Sequence, residues 1–151
     1  MSARRGVILL VDDNVDDVEL TLLAFEKMQL EADIVVAHDG LEALDYLFGT
    51  GKHSGRDVKE LPRVVLLDLK MPKLDGISVL KRIREDERTR HLPVVILTSS
   101  TEEKDLIESY RNWVNSYIRK PVNFKMFEEV SKQLGLYWTQ LNLGLRGGPH
   151  P

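Results

Sequence analysis

Cysteine is missing from all 151 residues, which removes disulfide frameworks, thiolate zinc sites and cysteine nucleophiles from consideration. No run approaches the roughly 18 consecutive apolar residues that a membrane-spanning helix needs. Arg4 and Arg5 precede the apolar run Val7 to Val11 as they would in a signal peptide. That run stops at Asp12 and Asp13, too short for the hydrophobic region of a leader. A basic field is missing as well: the net charge of −3 gives no argument for nucleic acid. Neither a GxGxxG after the first apolar run nor a Walker lysine loop is found, so dinucleotide and P-loop mechanisms lose their footing. What remains is 42% hydrophobic and 30% charged, of one-domain length. The expectation is a soluble, cytoplasmic globular domain.

The chain has a rhythm. Val7 to Val11, Ile34 to Ala37, Val64 to Leu67, Pro93 to Leu97 and Ser116 to Arg119 are short runs of strand character, the last more polar and therefore expected at a sheet edge. Between and after them, apolar residues recur at helical spacing, as in Val18, Leu22, Phe25 and Met28, or Phe124, Phe127, Val130 and Leu134. Strands alternating with helices imply parallel βαβ units and a three-layer α/β/α sandwich. Residues 49–61 interrupt the rhythm with a long polar loop, in which His53 reads as a solvated histidine. Arg82, Arg84, Glu85, Asp86 and Arg88 read as the solvated face of the third helix.

Four of the five strands deliver a reactive residue to their carboxyl ends, the edge at which open α/β sheets bind ligands. These are Asp12 and Asp13 after the first, Asp68 after the third, Thr98 at the end of the fourth and Lys120 after the fifth. A single Asp-Asp after a strand is ordinary turn chemistry, but four strand ends in agreement are not. Crowded carboxylates repel and raise the pKa of at least one of them, and a hard divalent cation such as Mg²⁺ relieves this. Three aspartates and one lysine leave −2, which Mg²⁺ would bring to zero. A carboxylate nucleophile, a metal, a fixed cation and a hydroxyl donor are the parts an aspartyl-phosphate requires. A purely structural cation site would leave Thr98 and Lys120 without roles.

These residues in this order resemble the receiver domain of two-component response regulators. The matching motifs are Val11-Asp12-Asp13, Leu67-Asp68-Leu69-Lys70-Met71-Pro72-Lys73-Leu74-Asp75-Gly76, Leu97-Thr98-Ser99 and Lys120-Pro121, within a span of about Gly6 to Leu134. The resemblance implies a doubly wound, flavodoxin-like (βα)5 fold with a five-stranded parallel sheet in the order 2-1-3-4-5. A single receiver domain would occupy residues 1–138, with a tail over 139–151 and no output domain after it.

The same resemblance implies roles. Asp68 would be the phosphoacceptor, serving a phosphohistidine on a sensor kinase. Mg²⁺ would be held by Asp13, Asp68 and the backbone carbonyl of Lys70, with Asp12 acting largely through a metal-bound water. Lys120 would pair with the phosphoryl group from beside a cis bond to Pro121. Thr98 would donate its hydroxyl, and Tyr117 would turn inward when Thr98 moves. The protein would then be a signalling phosphoacceptor with weak self-phosphorylation and autodephosphorylation chemistry, not an enzyme proper. A phosphorelay shuttle and a scaffold acting without phosphorylation are the alternatives. A phosphatase of this type needs a second acid/base aspartate two residues after the nucleophile, where Lys70 stands.

The long loop, the run Val114 to Pro121 and the Leu136-Tyr137-Trp138 tail resemble the stand-alone regulators paired with bacterial and cyanobacterial phytochrome kinases. The stripe Leu134, Trp138 and Leu141, with Tyr137 and Trp113, suggests a homodimer through the fourth helix, fifth strand and fifth helix. The tail folding back on its own domain is the competing expectation. No nucleic-acid or membrane partner is expected.

Overall fold

The computed structural model describes residues 6–144. The Arg4-Arg5 pair and the Gly/Pro-rich end of the tail lie outside the described residues. Five strands alternate with five helices: β1 (Gly6–Val11), α1 (Val15–Lys27), β2 (Ala32–Ala37), α2 (Gly40–Phe48), β3 (Val64–Leu67), α3 (Gly76–Glu85), β4 (Val94–Thr98), α4 (Glu103–Arg111), β5 (Ser116–Arg119) and α5 (Phe124–Leu136). The strands form one parallel sheet in the order β2-β1-β3-β4-β5, as the sequence motifs led one to expect. Both β2 and β5 are therefore edges.

Alternation along the strands sorts the core into two halves. Leu9, Val11, Val65, Leu67, Val94 and Ile96 meet Ala43, Leu44 and Leu47 of α2 and Val79, Leu80 and Ile83 of α3. Ile8, Leu10, Val64, Leu66, Val95 and Leu97 meet Val18 and Phe25 of α1 and Phe127 and Leu134 of α5. A period of two produces this division, since successive strand side chains point to opposite faces. The unbroken apolar run of β3 follows from burial on both faces.

The helix starts are chemically marked. Asn14, Asp39, Asp75 and Asn123 each accept a backbone N–H from the first turn of α1, α2, α3 and α5. Only α4 lacks a side-chain cap. Gly76 is required where it stands: a Cβ there would collide with the carbonyl oxygen of Asp68, against which the start of α3 is packed.

Three expectations need correction. Arg84 is half-buried and more than a solvated charge: its guanidinium donates to the carbonyls of Trp113, Arg90 and Leu92 and to Asn115 Oδ1, at 2.7–3.2 Å. The spacing of charges along α3 could not reveal this, because the acceptors come from two later loops. His53 sits edge-on to the Tyr46 ring, centroids 5.2 Å apart, because a short 3₁₀ turn (Gly51–His53) folds the long loop back on α2. The Lys120–Pro121 bond is trans, as no peptide bond among the described residues is cis. The flexible four-carbon stem of Lys120 reaches the acidic cluster from that backbone.

Beyond α5 the helical path continues as a π-helical turn over Tyr137–Leu141. Trp138 packs on the α1–α5 side of the core, and Arg63 donates to the Thr139 carbonyl. Gly135 lets α5 approach α1 closely just before this turn, since a Cβ would press on the Phe25 ring. Tyr137 and Leu141 remain exposed. The start of the tail thus folds on its own domain while still presenting apolar groups outward.

Candidate functional site

Asp12, Asp68 and Lys120 are each the first residue past a strand, and the backbone ladder continues through them. Asp12 N–H donates to Ala37 O (3.0 Å), Asp68 N–H to Val11 O (2.9 Å) and Lys120 N–H to Thr98 O (2.7 Å). Each bond extends the sheet ladder by one rung. The register, Val11 beside Leu67 and Leu67 beside Ile96, sets Asp12 level with Asp68, and Lys120 stands two residues beyond Ile118, the β5 residue at that level. All three residues are even-numbered, like Ile8, Leu10, Leu66 and Ile118, and so project toward the α1–α5 side.

Side chains then meet. Lys120 Nζ lies 2.9 Å from Asp12 Oδ2 and 3.4 Å from Asp68 Oδ2, all three side chains being no more than 7% exposed. Asp68 Oδ1 accepts the Leu69 N–H (2.8 Å) and Asp12 Oδ1 the Asn14 N–H (2.9 Å). Burial pushes the Asp12 carboxyl up to about 6, against the pull of Lys120 and the Asn14 N–H. Burial would depress Lys120, but hydrogen bonds from its ammonium to Asp17 and Asp12 win, and its pKa rises.

Asp13, exposed, completes a group of three carboxylates with Asp12 and Asp68, one oxygen of each lying within 4.8 Å of the others. A cluster of hard oxygen donors of this kind fits a divalent cation of the Mg²⁺, Mn²⁺ or Ca²⁺ class. The burial penalty on Asp12 is the physical sign of charge that such an ion would relieve.

Thr98 is fully buried, and its Oγ1 accepts the Ser100 N–H at 3.2 Å. Ser100 Oγ donates to Asp105 Oδ2 (2.6 Å), which also pairs with Lys70 Nζ (3.2 Å). The loop after Asp68 is thereby tied to the first turn of α4. Tyr117 already packs inward against the core, and its buried hydroxyl has no hydrogen-bond partner.

Sequence reasoning missed Asp17. Its Oδ2 is 2.8 Å from Lys120 Nζ, the shortest of the three carboxylate contacts. The available signal was the alternation of β1, which turns Asp12 toward α1, where Asp17 stands in the first turn. Counting Asp17 also revises the charge balance. Four carboxylates and one ammonium give −3, so a divalent cation leaves −1 and not zero.

The end of β2, which carries no candidate, is closed structurally. Glu42 accepts the His38 N–H (2.8 Å) and pairs with Lys52 (2.6 Å). Burial would raise its pKa, yet those partners hold it down at about 2.

The model of the response regulator receiver domain family matches residues 8–131. A probable methanogenesis regulatory protein, FilR2 of Methanothrix harundinacea, is 43% identical over 145 residues, covering 96% of this chain and 88% of FilR2. The phosphorylated cyanobacterial phytochrome response regulator RcpA superposes with a TM-score of 0.87 at 32% identity, over 94% of this chain and 99% of RcpA. The bacteriophytochrome response regulator AtBRR is 50% identical, with a TM-score of 0.69, over 93% of this chain and 99% of AtBRR. Among the described residues no helix is long and apolar enough to cross a membrane.

Proposed function

This chain belongs to the response regulator receiver domain family, and on that premise we propose that Asp68 accepts a phosphoryl group from a phosphohistidine of a sensor kinase. The observation that carries the reading is the meeting of Asp12, Asp68 and Lys120 one residue past three parallel strands, with Asp13 beside them. Asp68 Oδ1 is tethered by the Leu69 N–H, which leaves Oδ2 to attack. The Oδ2–P bond forms as the P–N bond breaks, and the imidazole nitrogen keeps the electron pair. Lys120 meets charge on the transferred oxygens, and Thr98 supplies a hydroxyl. Mg²⁺, which Asp13, Asp68 and the Lys70 carbonyl would hold directly and Asp12 largely through a water, would neutralise the charge gathered at phosphorus.

The readout would pass through Thr98 and Tyr117 to the surface of α4, β5 and α5. The phytochrome regulators RcpA and AtBRR support a light-sensing kinase as the donor. Residues 1–138 would act as one receiver unit, with 139–151 as its tail. Exposed Leu106, Ile107 and Tyr110 on α4 and Phe124 and Met126 on α5 support a homodimer through that surface. Sedimentation should give a dimer with beryllofluoride, and a monomer at high concentration with and without it would remove the dimer.

The decisive test is mass spectrometry after incubation with Mg²⁺ and acetyl phosphate. The wild-type chain should gain one phosphoryl group and Asp68→Asn none. A chain that gains nothing under any condition would favour a scaffold acting without phosphorylation.

A further inference from the structure

Lys120 has three N–H donors to distribute, and the structure shows an unequal distribution. The two short contacts run to Asp17 (2.8 Å) and Asp12 (2.9 Å), and the long one, 3.4 Å, to the acceptor Asp68. The ammonium is thus drawn toward α1 and away from the oxygen that must attack. Asp17 is braced for this task. Asn14 Oδ1 accepts its N–H (3.0 Å), and its own carbonyl accepts the hydroxyl of buried Thr21 (2.9 Å). Its carboxylate is 22% exposed, against 7% for the lysine it holds, so it forms the outer wall of the lysine's cage.

We propose that Asp17 is a positioning residue for Lys120. It parks the ammonium on the α1 side of the resting site, keeps its contact with Asp68 Oδ2 at the long distance of 3.4 Å, and shares the ammonium with the phosphoryl oxygens when they arrive. This rests on the reading of Asp68 as phosphoacceptor. Without Asp17 the ammonium has only Asp12 and Asp68 to pair with. It then closes on the acceptor, and a carboxylate oxygen engaged in a short ion pair is a poorer nucleophile.

An acidic residue in a first helical turn also interacts with the helix dipole, and Asp16 provides the control. It occupies the same turn, exposed, and has no part in the Lys120 cage. Two readouts are compared in Asp17→Asn, Asp17→Glu and Asp16→Asn: the initial rate of phosphorylation by acetyl phosphate with Mg²⁺, and the nitrogen resonance of the Lys120 ammonium in the unphosphorylated protein. Asp17→Asn should slow phosphorylation about tenfold, the scale of one lost charge-assisted hydrogen bond, and shift the Lys120 resonance. Asp16→Asn should leave both at wild-type values, and Asp17→Glu should recover most of the rate.

Asp17→Asn matching Asp16→Asn in both readouts would overturn the proposal. So would faster phosphorylation of Asp17→Asn, because Asp17 would then act only by repelling the donor. Failure of the phosphoacceptor reading itself is recognised separately, by a wild-type chain that gains no mass, and would remove the role of Asp17 with it.

Discussion

A buried lysine and a half-buried arginine hold opposite edges of the sheet, and they are satisfied in opposite ways. At the carboxyl edge, Lys120 is ringed by Asp12, Asp17 and Asp68, so negative charge exceeds positive. At the amino edge of β4 and β5, Arg84 is ringed by neutral acceptors: three backbone carbonyls and the side-chain oxygen of Asn115. The carboxylates raise the pKa of Lys120, whereas burial lowers that of Arg84 with no carboxylate to offset it. The Arg84 end is a finished structural joint. The Lys120 end carries unbalanced charge, which is useful only where a ligand of changing charge comes and goes.

Arg84 should therefore matter most to stability. Two of its nitrogens bind the carbonyl of Trp113, a residue held at φ +62°, and left-handed backbone outside glycine is costly. Asn115, which also receives Arg84, accepts the Val94 N–H and so joins the starts of β4 and β5. Arg84→Ala would leave the Leu92 and Trp113 carbonyls without their charged donor. We expect a loss of about 2–4 kcal/mol, or roughly 5–15 °C in melting temperature for a chain of this size. Arg84→Lys should fall between, since lysine keeps the charge but not the planar fork. A melting temperature unchanged in Arg84→Ala would break the contrast from the structural side.

The two ends also differ in how far the sequence disclosed them. The sheet, its alternation with helices and the residues at four strand ends follow from local patterns: apolar runs of strand length, helical spacing, and polar residues where a strand must stop. Asp12, Asp68 and Lys120 were legible because each directly follows such a run. Asp17 was not, since an aspartate in a first helical turn is adequately explained by the helix alone. Arg84 was hidden more completely. Its partners at positions 90, 92, 113 and 115 lie six to thirty-one residues away and are mostly main-chain atoms, which carry no sequence signature. The inward seat of Tyr117 and the docking of Trp138 likewise depend on tertiary space. Pattern discloses what an element presents at its end, not which distant backbone a long side chain will reach.

A smaller effect of opposite sign tests the other end. The Asp12 carboxyl is raised to about 6 from an ordinary value near 3.8, chiefly by burial, so the folded protein holds a proton there that the unfolded chain has released. Stability from this group is present below pH 3.8 and is lost as pH rises through about 6. Taken at face value the shift corresponds to about 3 kcal/mol, and screening and relaxation of the site reduce it to roughly 1–2 kcal/mol. Asp12→Asn removes the buried charge and keeps one acceptor, for the Asn14 N–H, leaving Lys120 to Asp17 and Asp68. Without divalent metal it should melt about 2–6 °C above wild type at neutral pH, and the gap should close as pH falls from 6 toward 4. Adding Mg²⁺ should narrow the gap from the other side, by stabilising the wild type more than the variant. A variant that melts below wild type at neutral pH would mean that the pair with Lys120 outweighs the burial of Asp12. The carboxyl edge would then be a satisfied joint like that of Arg84, and its excess charge could no longer be read as readiness for phosphoryl transfer.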